Sequence, residues 1–327
     1  AKALSRIRLW PRRARVSTSR LMTRHLRAAL QISSRRRGLP PDGPRPLIPS
    51  RRALAGLGLF AGYCAAAGPA TATAIRTPED GLTTGVVSYP SGDFDLPAYV
   101  ARPAGRGRKP VVVVVSEIFG LHEYIRDVCR RLARQGYVAI APVFFARDGD
   151  TATMTDFAAV RPIVARATNA QVMGDLDATV AWLDRQPFVA RERIAITGFC
   201  WGGAVTDRAV AHSARYKAGD AWYARLVKPA PDAFLGSENR LWPADVAGDL
   251  KAPVLGLYAE NDSGIPLSSV EAMRAALAKV GKAETNPIIV YPGAQHGFHA
   301  DYRPAFKADA AHDGWIRMLI WFQRNGF

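Results

Sequence analysis

Gly198-Phe199-Cys200-Trp201-Gly202-Gly203 is the stretch whose reading decides the fold. Before it, Arg193-Ile194-Ala195-Ile196-Thr197 reads as a short buried strand; after it, Ala204-Val205-Thr206-Asp207-Arg208-Ala209-Val210-Ala211 reads as a helix. Strand, glycine-bracketed turn and helix is the setting of a nucleophile elbow, here with cysteine where serine is usual. The turn is tight, so a Cβ at a flanking glycine would strike the neighbouring strand or helix. The Trp201 amide opens the helix, where it can bind a developing oxyanion and favour a thiolate.

An elbow needs an acid and a base downstream, in that order, each following a strand. Pro253-Val254-Leu255-Gly256-Leu257-Tyr258 reads as a strand, and Asp262 lies in the polar loop after it. Pro287-Ile288-Ile289-Val290-Tyr291 reads as the next strand, and His296 lies in the loop Pro292 to Phe298. Cysteine would attack, histidine would carry the proton, and aspartate would fix the imidazole tautomer. Glu260 is a rival acid two residues before Asp262, and His299 a rival base three residues after His296. His122, His212 and His312 lie in or beside helical patterns, where capping or solvation is expected.

From Gly81 onward, strands alternate with helices. Leu82 to Tyr89 and Asp93 to Arg102 read as an antiparallel pair at a sheet edge. Val111 to Val115, five consecutive valines, read as a fully buried strand. Further strands are expected at Tyr137–Ala141 and Lys217–Trp222, and helices at 123–135, 170–185, 201–211, 268–280 and 308–324. This pattern predicts an α/β domain with a mostly parallel, doubly wound sheet flanked by helices, active-site loops lying at the strand C-terminal ends. Pro142 to Asn169 reads as an irregular stretch suited to a lid or pocket wall.

The net charge of +16 is unevenly spread over the 327 residues. Residues 1–74 hold 15 Lys and Arg against one acid, Asp42, so nearly all the excess sits there and does not mark a nucleic-acid-binding domain. Residues 1–49 read as a basic low-complexity extension. Residues 50–74 read as a twin-arginine signal peptide: Arg51-Arg52, an apolar run from Ala53 to Ala67, then Ala-Thr-Ala sites. The run is shorter than the ~20 residues that span a bilayer, so no stable membrane anchor is expected. Export through the twin-arginine machinery to the periplasm or outside is the expectation, with a cytoplasmic location as the alternative and residues 75–327 as the α/β domain. Cys129 and Cys200 remain in that domain, and their spacing suggests neither a disulfide framework nor a metal site.

The elbow, Glu117-Ile118-Phe119-Gly120, Asp262 and Gln295-His296-Gly297-Phe298 together resemble the dienelactone hydrolase family, over roughly residues 80 to 327. The resemblance implies an α/β-hydrolase fold and a Cys200-His296-Asp262 triad acting on lactones or small activated esters. It implies that Glu117 helps generate the thiolate when substrate binds, and that the Ile118 amide joins Trp201 in the oxyanion hole. Members acting on dienelactone hold a substrate carboxylate with two arginines; Arg303 and Arg161 (or Arg166) are the candidates here. Asp207 and Asp220 depart from the apolar or aromatic residues usual at their positions. No cofactor is implied, and the expected partner is a small-molecule ester or lactone. A general carboxylesterase is the alternative; an inactive binding protein is a third reading.

Overall fold

The computed structural model describes residues 75–231, 233–236 and 240–327. The extension and the twin-arginine signal peptide read from residues 1–74 lie outside the described residues. Among the described residues no helix is long and apolar enough to cross a membrane.

Eight strands form one sheet. They are β1 (Leu82–Ser91), β2 (Phe94–Pro103), β3 (Lys109–Val115), β4 (Val138–Pro142), β5 (Val189–Phe199), β6 (Tyr216–Trp222), β7 (Val254–Ala259) and β8 (Ile288–Tyr291). Their order is β1-β2-β4-β3-β5-β6-β7-β8. β1 and β2 pair antiparallel, as do β2 and β4, and every other neighbour is parallel. The edge hairpin turns through Gly92 and Asp93, and Gly92 supplies the positive φ (+63°) that such a two-residue turn requires. Val111 to Val115 have no exposed surface. Their β-branched side chains suit a strand covered on both faces, and Val113 stands between Ile140 of β4 and Ile196 of β5.

Parallel neighbours require crossovers, and helices supply them. α1 (Glu123–Arg134) joins β3 to β4, and α2 (Phe157–Arg166) and α3 (Asn169–Asp184) lie between β4 and β5. α4 (Trp201–His212) follows β5, α5 (Leu267–Lys279) follows β7, and α6 (Ala308–Arg324) closes the chain. The stretch read as irregular, Pro142 to Asn169, contains α2 and a 3-10 turn at Thr151–Thr153. Pro162 hides α2 in the sequence, since an interior proline breaks the helical reading. Two features restore it: Asp156 caps the N-terminus by accepting from the Ala158 amide at 2.9 Å, and Val160, Ile163 and Val164 are buried.

Asp207 on α4 and Asp220 on β6 are both buried against the sheet. Burial raises Asp207 to about 7, with Arg208 opposing, and one of its carboxyl oxygens has no partner among the described residues. Burial likewise raises Asp220 to about 8, opposed by the hydrogen bond from Thr197 (2.9 Å). The folded state therefore keeps these protons to higher pH than the unfolded chain, and stability falls as pH rises from about 4 to about 8. We expect the double variant Asp207→Asn, Asp220→Asn to flatten that slope. In urea titrations of residues 75–327, the parent should lose on the order of 5 kcal/mol more than the variant between pH 5 and pH 8.5. Equal slopes would show that the two carboxyls do not hold their protons.

Candidate active site

The C-terminal end of β5 turns directly into α4 at Cys200, whose backbone lies at φ 57°, ψ −112°, a region that non-glycine residues seldom occupy. Close approach holds it there. A Cβ on Gly198 would sit 2.1 Å from the Gly202 carbonyl oxygen. One on Gly202 would sit 2.3 Å from the Val115 carbonyl oxygen and 2.6 Å from that of Ser116. One on Gly203 would meet the Ala224 side chain and the Trp222 carbonyl at 2.8 Å. The Cys200 amide also donates to the Trp222 carbonyl at 3.0 Å, fixing the turn to the end of β6. The glycines are thus demanded by packing against strand ends rather than by their own dihedral angles.

The loops after β7 and β8 bring Asp262 and His296 to this turn. Asp262 accepts from the Gly264 amide (2.9 Å) and the Ile265 amide (3.0 Å) through one oxygen, and meets His296 Nδ1 at 2.5 Å through the other. Both oxygens are committed, so the carboxylate fixes the ring, and Nε2 remains for Cys200, with which His296 shares a hydrogen bond. Burial alone would lower His296, but Asp262 and, after it, Cys200 outweigh it through electrostatic and hydrogen-bonding contacts and raise the imidazole to about 10. The Tyr223 ring lies edge-on to the imidazole, centroids 5.1 Å apart. Neither rival takes part. Glu260 accepts from the Gly293 amide, and His299 is buried against Phe199 and Trp222, with Nδ1 2.5 Å from the Tyr124 hydroxyl. Burial and the Arg131 charge lower His299 well below the ordinary histidine range, so it stays neutral.

Gly202 packs onto the Val115 and Ser116 carbonyls, which sets the start of α4 beside the loop that follows β3. Ile118 and Trp201 consequently line one cleft with Cys200 and His296. Neither their amides nor an acceptor for them is engaged among the described residues. Glu117, next to Ile118, is fully buried and turned to other partners: Tyr302 donates to it at 2.9 Å, His122 Nε2 lies at 3.2 Å and Arg303 at 3.9 Å. Burial would raise this carboxyl, but Arg303, His122 and Tyr302 together hold it at about 2. His122, expected to cap or face solvent, stands at the N-cap position of α1 without a side-chain capping bond, and its ring is buried against Glu117.

The cleft opens to solvent, and its empty space together with its open mouth comes to about 730 Å³. Trp201, Phe234, Leu235, Trp242 and Ile265 give it an apolar wall. Arg303 and Arg161 are not among its lining residues. Arg303 lies between the Phe119 and Tyr302 rings beside Glu117, and Arg161 covers the rings of Phe157 and Phe234. Arg208, Arg225 and Arg240 line the cleft instead, and sequence reasoning missed them. Arg208 and Arg225 carried a usable signal. Arg208 falls two turns into the elbow helix, and Arg225 comes three residues past the C-terminal end of β6, where this fold places its sites. Arg240 lies on the long β6–β7 connection, which has no hydrophobic period to place it.

The glycine contacts predict a graded series. Gly202→Ala should cost ~3 kcal/mol or more in urea denaturation, because its new methyl meets backbone oxygens that cannot move aside. Gly203→Ala should cost less, since one of its near neighbours is the Ala224 methyl. Gly174→Ala, in α3 with nothing within 4 Å, should stabilise by about 0.5–1 kcal/mol. A harmless Gly202→Ala would contradict the packing described for the elbow.

Residues 96–326 match the dienelactone hydrolase family. A protein of Methylorubrum extorquens AM1 named "Putative carboxymethylenebutenolidase" is 47% identical over 279 residues, covering 85% of this chain and 94% of its own. A protein of the same name from Escherichia coli K12 is 47% identical over 268 residues, covering 81% and 96%. The crystal structure of a "Putative Dienelactone Hydrolase" from Klebsiella pneumoniae superposes with a TM-score of 0.68 at 44% identity, over 74% of this chain and 99% of that one. A nucleophile-elbow turn, an ordered acid and base and an eight-stranded α/β sheet therefore coincide with extensive sequence likeness, and the chain belongs to the dienelactone hydrolase family of hydrolases.

Proposed function

We propose that this protein hydrolyses lactones or small activated carboxylic esters through Cys200, His296 and Asp262. The observation that carries the reading is the continuous array from the Gly264 and Ile265 amides through Asp262 and His296 to the thiol of the strained elbow. Such an array fixes the tautomer and direction of the imidazole before substrate arrives.

Cys200 attacks as thiolate while His296 carries the proton. A sulfur–carbon bond forms at the ester carbonyl, and the oxyanion settles against the Trp201 and Ile118 amides. The intermediate collapses with cleavage of the carbon–oxygen bond, and His296 gives its proton to the departing alkoxide. From a lactone, that alcohol stays tethered to the acyl group. Water, deprotonated by His296, then attacks the thioester and releases the thiolate. A thiolate expels an alkoxide poorly, which favours enol lactones and aryl esters with acidic leaving groups. Family resemblance gives Glu117 a part in generating the thiolate. That part requires its carboxylate to leave Tyr302, His122 and Arg303 when substrate binds. A general carboxylesterase would use the same array on other small esters.

The purified protein should release p-nitrophenol from a p-nitrophenyl ester, and Cys200→Ala should lower kcat by about 10³-fold or more at an unchanged denaturation midpoint. Cys200→Ser should also be poorly active. The alkaline limb of kcat/KM should lie near the His296 value of about 10, where the imidazolium loses its proton. Asp262→Asn removes the charge that raises His296, so this limb should move to lower pH. Near-parental turnover by Cys200→Ala, or an alkaline limb indifferent to Asp262→Asn, would contradict the assignment.

A further inference from the structure

The segment from Ile75 to Glu79 is anchored on α1 and on the loop after His296. The Thr77 amide donates to Asp127 at 2.5 Å, Arg134 donates to the Pro78 carbonyl at 2.8 Å, and the Ile75 amide donates to Asp301 Oδ1 at 3.3 Å. Asp301 directly precedes Tyr302 and Arg303, which face Glu117. Its side chain is 2% exposed, and its other oxygen accepts from Arg131. Arg131 also donates to Asp127 at 2.5 Å. Ion pairs continue from Asp127 to Arg130 (3.1 Å), from Arg130 to Glu123 (2.5 Å) and Glu79 (3.7 Å), and from Glu123 to Arg76 (3.6 Å). Among the described residues this connected cluster sets three arginines, Arg76, Arg130 and Arg131, against four carboxylates, Glu79, Glu123, Asp127 and Asp301. The other two arginines of α1 are turned elsewhere, Arg126 over the Tyr99 ring and Arg134 to the Pro78 carbonyl.

The cluster is one positive charge short, and the shortfall is felt at Asp301. Burial raises its carboxyl above the ordinary aspartate range; Arg131 and the Ile75 amide oppose the rise, and the charge of Asp127 adds to it. The donor now on Oδ1 is a neutral amide. It need not stay neutral, because Ala72-Thr73-Ala74 directly before it reads as a signal-peptidase site. Such a peptidase adds water across the Ala74–Ile75 bond, leaving a carboxylate on Ala74 and an α-ammonium on Ile75. We propose that Asp301 is the receiving site for this new N-terminus: the Ile75 α-ammonium takes the amide's place on Oδ1 and ties the loop carrying Tyr302 and Arg303 to α1. The proposal rests on cleavage before Ile75 and is independent of the hydrolase reading. A charge-assisted bond is about twice as strong as the neutral one it replaces, and a fourth cation balances the four carboxylates. The groups facing Asp301 are Arg131, Asp127 and Tyr124 of α1, and burial keeps the Tyr124 hydroxyl protonated. Asp301 and Asp127 favour the ammonium and Arg131 opposes it, so its pKa should rise in the folded protein. The stabilisation is then complete below the ordinary α-amine value and is lost as pH climbs through the folded one.

The test starts from the full chain and needs no export. The recognition sequence of a protease that cuts at its own C-terminal edge, such as factor Xa, is placed directly before Ile75, or in a second version directly before Ala72. Cutting yields two proteins that both lack the leader and differ in whether the ammonium falls on Ile75 or on Ala72. The pH dependence of α-amine acetylation, read on the N-terminal peptide by mass spectrometry, gives the pKa. On Ile75 it should lie about one unit or more above the ordinary ~7.7–8.0, and it should return to that range on Ala72 and in Asp301→Asn. Urea titration gives a second reading. At pH 6.5 the unfolding equilibrium constant of the Ile75 protein should be about ten-fold lower than that of the Ala72 protein, the same factor as one pKa unit. That advantage should fade as the amine deprotonates, and Asp301→Asn should abolish it. An Ile75 amine that titrates at its ordinary value, or an advantage that Asp301→Asn leaves intact, overturns the proposal. If Asp301→Asn does not fold, the Ile75 and Ala72 proteins decide the matter between them, since neither alters the domain itself.

Discussion

The contact on which the site depends is the one between Gly202 and the end of β3. The start of α4 lies so close to the Val115 and Ser116 carbonyls that a single added methyl would sit 2.3 Å from backbone oxygen. That proximity holds Cys200 in a conformation it would otherwise avoid and presents its side chain above the sheet. It also brings Trp201 and Ile118, which are far apart in sequence, to one cleft beside Cys200. The five-valine strand makes this possible. With all five valines buried between β4 and β5, the end of β3 is closely packed, which favours strain staying in the turn over its relaxing into the sheet.

Electrostatics divides the region in two. On one side Asp262 is saturated by two amides and His296, and its charge holds the imidazole protonated to about pH 10. On the other, Glu117 is buried and ionised, compensated by Arg303, His122 and Tyr302. Each carboxylate thus has its own cations and donors, which is the condition for keeping charge in a low-dielectric interior. Arg225 forms no hydrogen bond or ion pair with the other described residues, and Cys200 and Asp262 only partly offset the burial that lowers it. Asp207 and Asp220 meet the same problem differently, by remaining protonated near neutral pH.

Much of this was legible in the chain. The elbow glycines, the valine strand and the two loop residues each depend on local chemistry, namely tight turns, β-branched burial and short post-strand loops. Their positions could accordingly be read before any fold was known. The helix at Phe157–Arg166 escaped because Pro162 contradicts the local rule, while burial of Val160, Ile163 and Val164 overrides it. The arginines escaped for another reason. Which cation reaches a cleft depends on side-chain direction and on where a long connection folds back, and neither leaves a period in the sequence. Arg303 was a reasonable expectation from its place after His296, yet its guanidinium is drawn between two aromatic rings toward Glu117. Ring contacts and a buried counter-charge decided its direction.

The central claim is that Cys200 becomes covalently acylated. Intact-protein mass spectrometry after rapid acid quench, during turnover of a p-nitrophenyl ester, tests it most directly. The account predicts a mass increase equal to one acyl group. It should map to the peptide containing Cys200, decay as substrate is exhausted, and be absent from Cys200→Ala. Steady turnover with no such adduct on a trapping-competent timescale, or an adduct that maps to another residue, would contradict it.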